Sequence, residues 1–130
     1  KARLRTLMQQ DHQLKKAVEA FIHPLVEKVM IEFMASAKSE FVFVEVPLLY
    51  QAHMESLFDY VIGIMTSRQK QDEFLSLRGQ SLSLAKTLNP TSGFQKYIDN
   101  VDYLIDNTGD YDLLVEKANE ILQQLKKTPI

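Results

Sequence analysis

The chain has 130 residues, 45% of them hydrophobic, with 15 basic against 17 acidic side chains and no cysteine. That length fits one globular domain or part of a larger one, and the balanced charge argues against nucleic acid or a membrane surface as a partner. Absence of cysteine excludes a disulfide scaffold, thiolate catalysis and a cysteine zinc site, in keeping with a reducing cytoplasm.

The first residues, Lys1-Ala2-Arg3-Leu4-Arg5, lack the apolar stretch of a signal peptide, and no later run approaches the roughly 20 residues needed to span a bilayer. Position 1 is not methionine, so we expect residues before Lys1 in the complete protein. Short helices are predicted over 2–8 and 12–21, the second capped by Asp11, with Leu14, Val18 and Phe21 at helical spacing. His23-Pro24 is predicted to open another helix, since proline suits the first turn. Leu25, Val29 and Phe33 form its stripe, with Val26, Met30 and Met34 alongside, an arc wide enough to predict packing on two sides.

Residues 41–46, Phe-Val-Phe-Val-Glu-Val, read as a buried strand that Pro47 ends, because proline cannot donate to a ladder. Gln51 to Phe58 reads as a loop with a short helix, and Tyr60 to Met65 as a second strand. Ser67 is placed to cap a polar helix over 68–78 that Gly79 ends in a left-handed turn. The stretch 80–101 has the weakest core pattern: helix over 81–88, a turn at 89–93, then helix over 94–101, together a candidate lid. A third strand, Tyr103 to Asp106, runs into the turn Asn107-Thr108-Gly109. Asp110 then caps the last helix, whose buried face is Leu114, Ala118, Ile121 and Leu125. Strands alternating with helices predict an α/β fold with one parallel sheet, and chemistry at the carboxyl ends of its strands. Glu45, near the end of the first strand, stands at such a position.

Four segments in this order resemble the dephospho-coenzyme A kinase family. They are Leu4-Arg5 through Phe21-Ile22-His23-Pro24-Leu25-Val26; Val44-Glu45-Val46-Pro47-Leu48-Leu49-Tyr50; Leu57-Phe58-Asp59 with the following helix from Gln71 to Arg78; and Asp102-Tyr103-Leu104-Ile105-Asp106-Asn107-Thr108-Gly109. The resemblance implies a P-loop kinase-like, three-layer α/β fold with a parallel sheet, incomplete in this sequence. It implies a helical substrate-binding segment at 1–38, core strands and helices at 41–66 and 102–130, and a lid-like segment at 67–101. The implied reaction is ATP- and Mg²⁺-dependent phosphorylation of the 3′-hydroxyl of dephospho-CoA.

The family's opening strand, its phosphate loop ending Gly-Lys-Ser/Thr and the acid that follows have no counterpart here. The four glycines stand alone at 63, 79, 93 and 109, and no Gly-Lys pair occurs. Such a loop works by aiming backbone N–H groups and a lysine at the β- and γ-phosphates, so this chain alone is expected to be inactive. In kinases of this type the phosphate-loop strand lies between the strands that 41–46 and 60–65 resemble. An N-terminal segment is therefore expected to complete the sheet, although another strand would also fill the slot.

Carried over residue by residue, Glu45 and Arg78 are the candidate catalytic residues. His23, Pro24, Leu48 and Tyr50 are the candidate substrate-binding residues, Asn107 and Gly109 the candidate nucleotide-binding ones, and no protein metal site is expected. Each has a plainer reading: Glu45 as a solvated strand-end acid, His23 as a helix-start residue beside Phe21, Arg78 as a helix C-terminal cation, and Asn-x-Gly as a turn before a capped helix. The family's arginine four positions before Arg78 is replaced by Phe74. Two other classes therefore stay open: a non-catalytic relative that binds a nucleotide or CoA-like ligand, and a structural or interaction domain.

Overall fold

The structure is a computed structural model that describes residues 1–79 and 97–128. The predicted helix at 81–88 and the turn at 89–93 lie outside the described residues, as does all of the lid-like segment from 80 to 96. The described residues fall into two compact units, one ending at Leu57 and one beginning at Phe58.

The first unit opens with α1 (Ala2–Gln10) and α2 (His12–Ser36), packed against each other. Asp11 sits between them in extended conformation, and its carboxylate accepts the Gln13 and Leu14 N–H groups at 3.0 and 3.1 Å, the cap its position predicts. The second and third predicted helices are in fact one, because α2 runs through Pro24 without a break. Proline inside a helix removes one bond to the carbonyl four residues back, here that of Ala20, and costs about 3 kcal/mol. Pro24 is exposed, so its ring is accommodated at the solvent side while helical residues on both flanks propagate the turn.

The two-sided packing expected of α2 is not observed. Met30 is buried, whereas Phe21, Leu25, Val29 and Phe33 are each more than half exposed. Two helices and a turn segment supply too little surface to cover a helix that is apolar over so wide an arc.

Residues 41–46 do not form the predicted strand. No ladder bond joins them to any described residue, and the described sheet has two strands. Alternating apolar residues mark a chain that suits a pleated surface, but a strand exists only where a neighbour takes up its N–H and C=O groups. Turns at 47–53 and a 3₁₀ turn at Glu55–Leu57 follow, with Met54 buried.

The second unit contains the predicted parallel sheet. Strand β1 (Ile62–Met65) pairs in parallel with β2 (Tyr103–Asp106), Ile62 opposite Tyr103 and Met65 opposite Asp106. The entry end is closed by Asp102: its carboxylate accepts the Val61 N–H at 2.7 Å, while the Val61 carbonyl accepts the N–H groups of Asp102 and Tyr103. Between the strands stands α3 (Arg68–Leu77), capped by Ser67, whose hydroxyl accepts the Lys70 N–H at 3.2 Å. Gly79 has φ +67, the left-handed conformation expected at the end of this helix. Asp110 accepts the Leu113 N–H at 2.9 Å and opens α4 (Tyr111–Lys127), which packs on β2. Ile105 of β2 is buried, as are Ile121 and Leu125 of α4. Leu114 is half-buried but Ala118 is exposed, so the inner face of α4 turns toward Lys117, whose ammonium reaches the Asp106 carbonyl at 3.0 Å.

Candidate functional site

The carboxyl end of the parallel pair is where the structure assembles polar groups. Met65 and Asp106 end their strands side by side, and the chain after β2 bends at 108 and 109. The Asn107 N–H donates to the Met65 carbonyl at 2.7 Å, extending the ladder one residue past the strand. The Thr66 hydroxyl donates to the Asn107 carbonyl at 2.8 Å. Lys70, half-buried in the first turn of α3, donates from Nζ to the Gly109 carbonyl. Within the turn, the Thr108 N–H donates to the Asp106 carboxylate at 3.1 Å, a local side-chain bond of the kind that shapes aspartate turns.

Asn107 and Gly109, the predicted nucleotide-binding pair, are thus joined by Thr66 and Lys70, two residues that the sequence did not single out. Gly109 does not have a positive φ. What its missing side chain provides is clearance, because a Cβ there would lie 2.6 Å from Leu113 Cδ2. Gly63, buried in β1, does the same for Val101 and Leu104, at 3.1 and 3.3 Å from a notional Cβ.

Arg78 stands at the C-cap of α3 with an exposed side chain and makes no ion pair among the described residues. Phe74 lies one turn earlier on the same face and is exposed. Along the same helix, a shallow depression is lined by Arg68, Gln69, Asp72, Glu73, Ser76 and Leu77. All six come from one element, so nothing converges there.

The remaining candidates belong to the first unit. His23 is half-buried and Pro24 exposed, both inside α2 rather than at a helix start. Leu48 and Tyr50 are half-buried in the turns after Pro47, while Glu45 is exposed on the unpaired segment. His53 closes these turns in a left-handed conformation, φ 54, which histidine tolerates better than branched residues do. No cluster of three or more histidine, aspartate or glutamate side chains is placed to hold a metal among the described residues. No helix of the described residues is long and apolar enough to cross a membrane.

A family model, that of dephospho-CoA kinase, matches residues 1–110. The chain belongs to the dephospho-CoA kinase family. The match takes in the α2 region, the Pro-Leu-Leu turns, both strands and the turn after β2, and stops at the cap of α4. Among curated relatives, the dephospho-CoA kinase of Listeria innocua serovar 6a is 28% identical over 113 residues, 82% of this chain and 56% of its own length. That of Listeria monocytogenes serovar 1/2a is 24% identical over 98% of this chain and 66% of its own length. The Thermosynechococcus vestitus kinase is 27% identical over 96% of this chain and 63% of its own length. The chain thus spans between about half and two thirds of the length of these three relatives.

Proposed function

We propose that this chain is the substrate-handling and nucleotide-handling portion of a kinase that transfers the γ-phosphoryl group of ATP to the 3′-hydroxyl of dephospho-CoA. The observation that carries the reading is the family match over residues 1–110, which includes every segment from which a site residue was drawn. In the reaction the ribose 3′-oxygen forms a bond to the γ-phosphorus, the bond from that phosphorus to the β–γ bridging oxygen breaks, and ADP departs. The hydroxyl proton goes to a base supplied together with the phosphate loop, outside these residues. His23, Pro24, Leu48 and Tyr50 shape the dephospho-CoA pocket. Arg78 offers a guanidinium to the phosphates, for which its planar fork is suited. Asn107 and the Gly109 turn receive the adenine. Mg²⁺ bound with ATP would neutralise phosphate charge, and Glu45 is the carboxylate that would meet it, since Mg²⁺ needs few protein ligands. A cytoplasmic setting suits a chain without cysteine.

A coupled assay tests the division of labour. The 130-residue polypeptide, given ATP, Mg²⁺ and dephospho-CoA, is expected to form no CoA. ATP-dependent CoA formation by this polypeptide alone would overturn the assignment of the phosphate cradle to other residues. Phe74 favours one second reading, a relative that binds these ligands without turnover, because an exposed phenyl ring cannot stabilise charge on a transferring phosphoryl group. Binding of both ligands by the intact gene product without CoA formation would select it.

A further inference from the structure

We propose that Lys70 is a positioning residue which, with Thr66, fixes the turn after β2 so that the Asn107 carboxamide presents a donor–acceptor pair to adenine. The proposal deepens the nucleotide reading of that turn and rests on it. Three carbonyls of the turn are taken up by donors from three different parts of the fold: Asp106 by Lys117 of α4, Asn107 by Thr66 after β1, and Gly109 by Lys70 of α3. The Asn107 N–H is spent on Met65 and the Thr108 N–H on Asp106. The main chain of Asn107 is therefore held on both sides, while its side-chain amide makes no hydrogen bond among the described residues.

An asparagine amide matches the N6 donor and N7 acceptor of adenine with two bonds, whereas guanine offers two acceptors at the same edge. Discrimination by such a pair depends on where the amide points, and its direction is set by the backbone beneath it. Thr66 and the ladder bond hold the near end of the turn, and Lys70 holds the far end. Lys70 is itself anchored, since its N–H caps onto Ser67. Helix α3, the root of the lid-like segment, and the base-receiving turn are consequently one mechanical piece. Nothing local in the sequence marks this lysine, because the contact spans 39 residues and exists only through the parallel register of β1 and β2.

The test uses the whole 130-residue chain, isotopically labelled, with Lys70→Met and Lys70→Arg variants. Methionine keeps the half-buried stem and removes the donor, and arginine restores one. Adenosine and guanosine are titrated by NMR, and amide exchange is followed at Asn107, Thr108 and Gly109. The expected result is adenosine-dependent shifts at these residues in the wild type. In Lys70→Met, adenosine binds at least about fivefold more weakly and the preference over guanosine narrows, the size expected when one charge-assisted bond is lost. The three amides exchange faster in that variant, and Lys70→Arg recovers both properties. Wild-type exchange rates in Lys70→Met would overturn the proposal, as would faster exchange with an unchanged adenosine preference. A wild-type chain whose turn amides ignore adenosine would overturn the nucleotide reading of the turn, whereas the exchange rates would still report separately on whether Lys70 holds it.

Discussion

Asp102 is where a single substitution should unpick the sheet, and its cost can be worked from the geometry. Its carboxylate accepts the Val61 N–H at 2.7 Å, and the Val61 carbonyl accepts from the N–H groups of Asp102 and Tyr103 at 2.9 and 3.2 Å. The residue preceding β1 is thereby tied to the residues that open β2. Asp102→Ala removes the acceptor and leaves the half-buried Val61 amide without its partner. A hydrogen bond to a charged group contributes about 1.5–3 kcal/mol when well shielded. Asp102 is exposed, so solvent screening brings the expected loss to about 1–1.5 kcal/mol. For a unit of this size each kcal/mol moves the melting midpoint by roughly 4–8 °C, which predicts a fall on the order of 4–12 °C. The rings of Tyr60 and Tyr103 lie 6.1 Å apart beside this closure, so near-ultraviolet circular dichroism reports on it directly. Asp102→Asn keeps an oxygen acceptor without the charge and should lose about half as much. An alanine variant that melts like the wild type, with its tyrosine signal unchanged, would refute the argument.

Three further outcomes follow from local geometry. Gly63→Ala should lose about 1 kcal/mol in denaturant unfolding, because the added methyl meets Val101 and Leu104 at 3.1 and 3.3 Å and overpacking outweighs the gain in strand propensity. At His53, with φ 54, Asn should be nearly neutral and Val should lose about 1 kcal/mol or more by chemical denaturation, since branched side chains crowd the left-handed region. Pro24→Ala restores a helix bond to Ala20 and should raise the melting midpoint and helical circular dichroism by the equivalent of about 1–3 kcal/mol. If that gain comes with weaker dephospho-CoA binding, the proline is kept for the ligand rather than for the helix.

The caps show what local chemistry makes readable. Asp11, Ser67, Asp110 and Gly79 end or begin helices where predicted, because each motif closes within a few residues. The two parallel strands were legible for a related reason: both are short apolar runs bounded by turns, and a helix stands between them. Residues 41–46 carry as strong a pattern but form no ladder with any described residue, since pattern describes a surface and pairing needs a neighbour. Pro24 misled for the opposite reason, a breaker overridden by the helical residues on both sides of it. Of the candidate site, Asn107 and Gly109 could be picked out in the chain, while Thr66 and Lys70 could not. Their contacts span 41 and 39 residues and depend on strand register rather than on spacing.

The central proposal is that these residues carry the dephospho-CoA-binding part of such a kinase and not its phosphate cradle. Titration of the labelled 130-residue chain with dephospho-CoA, read at each backbone amide, tests it most directly. The account predicts saturable shifts around His23, Leu48 and Tyr50. Shifts absent from these positions at saturating ligand, or confined to the exposed face of α3, would contradict it.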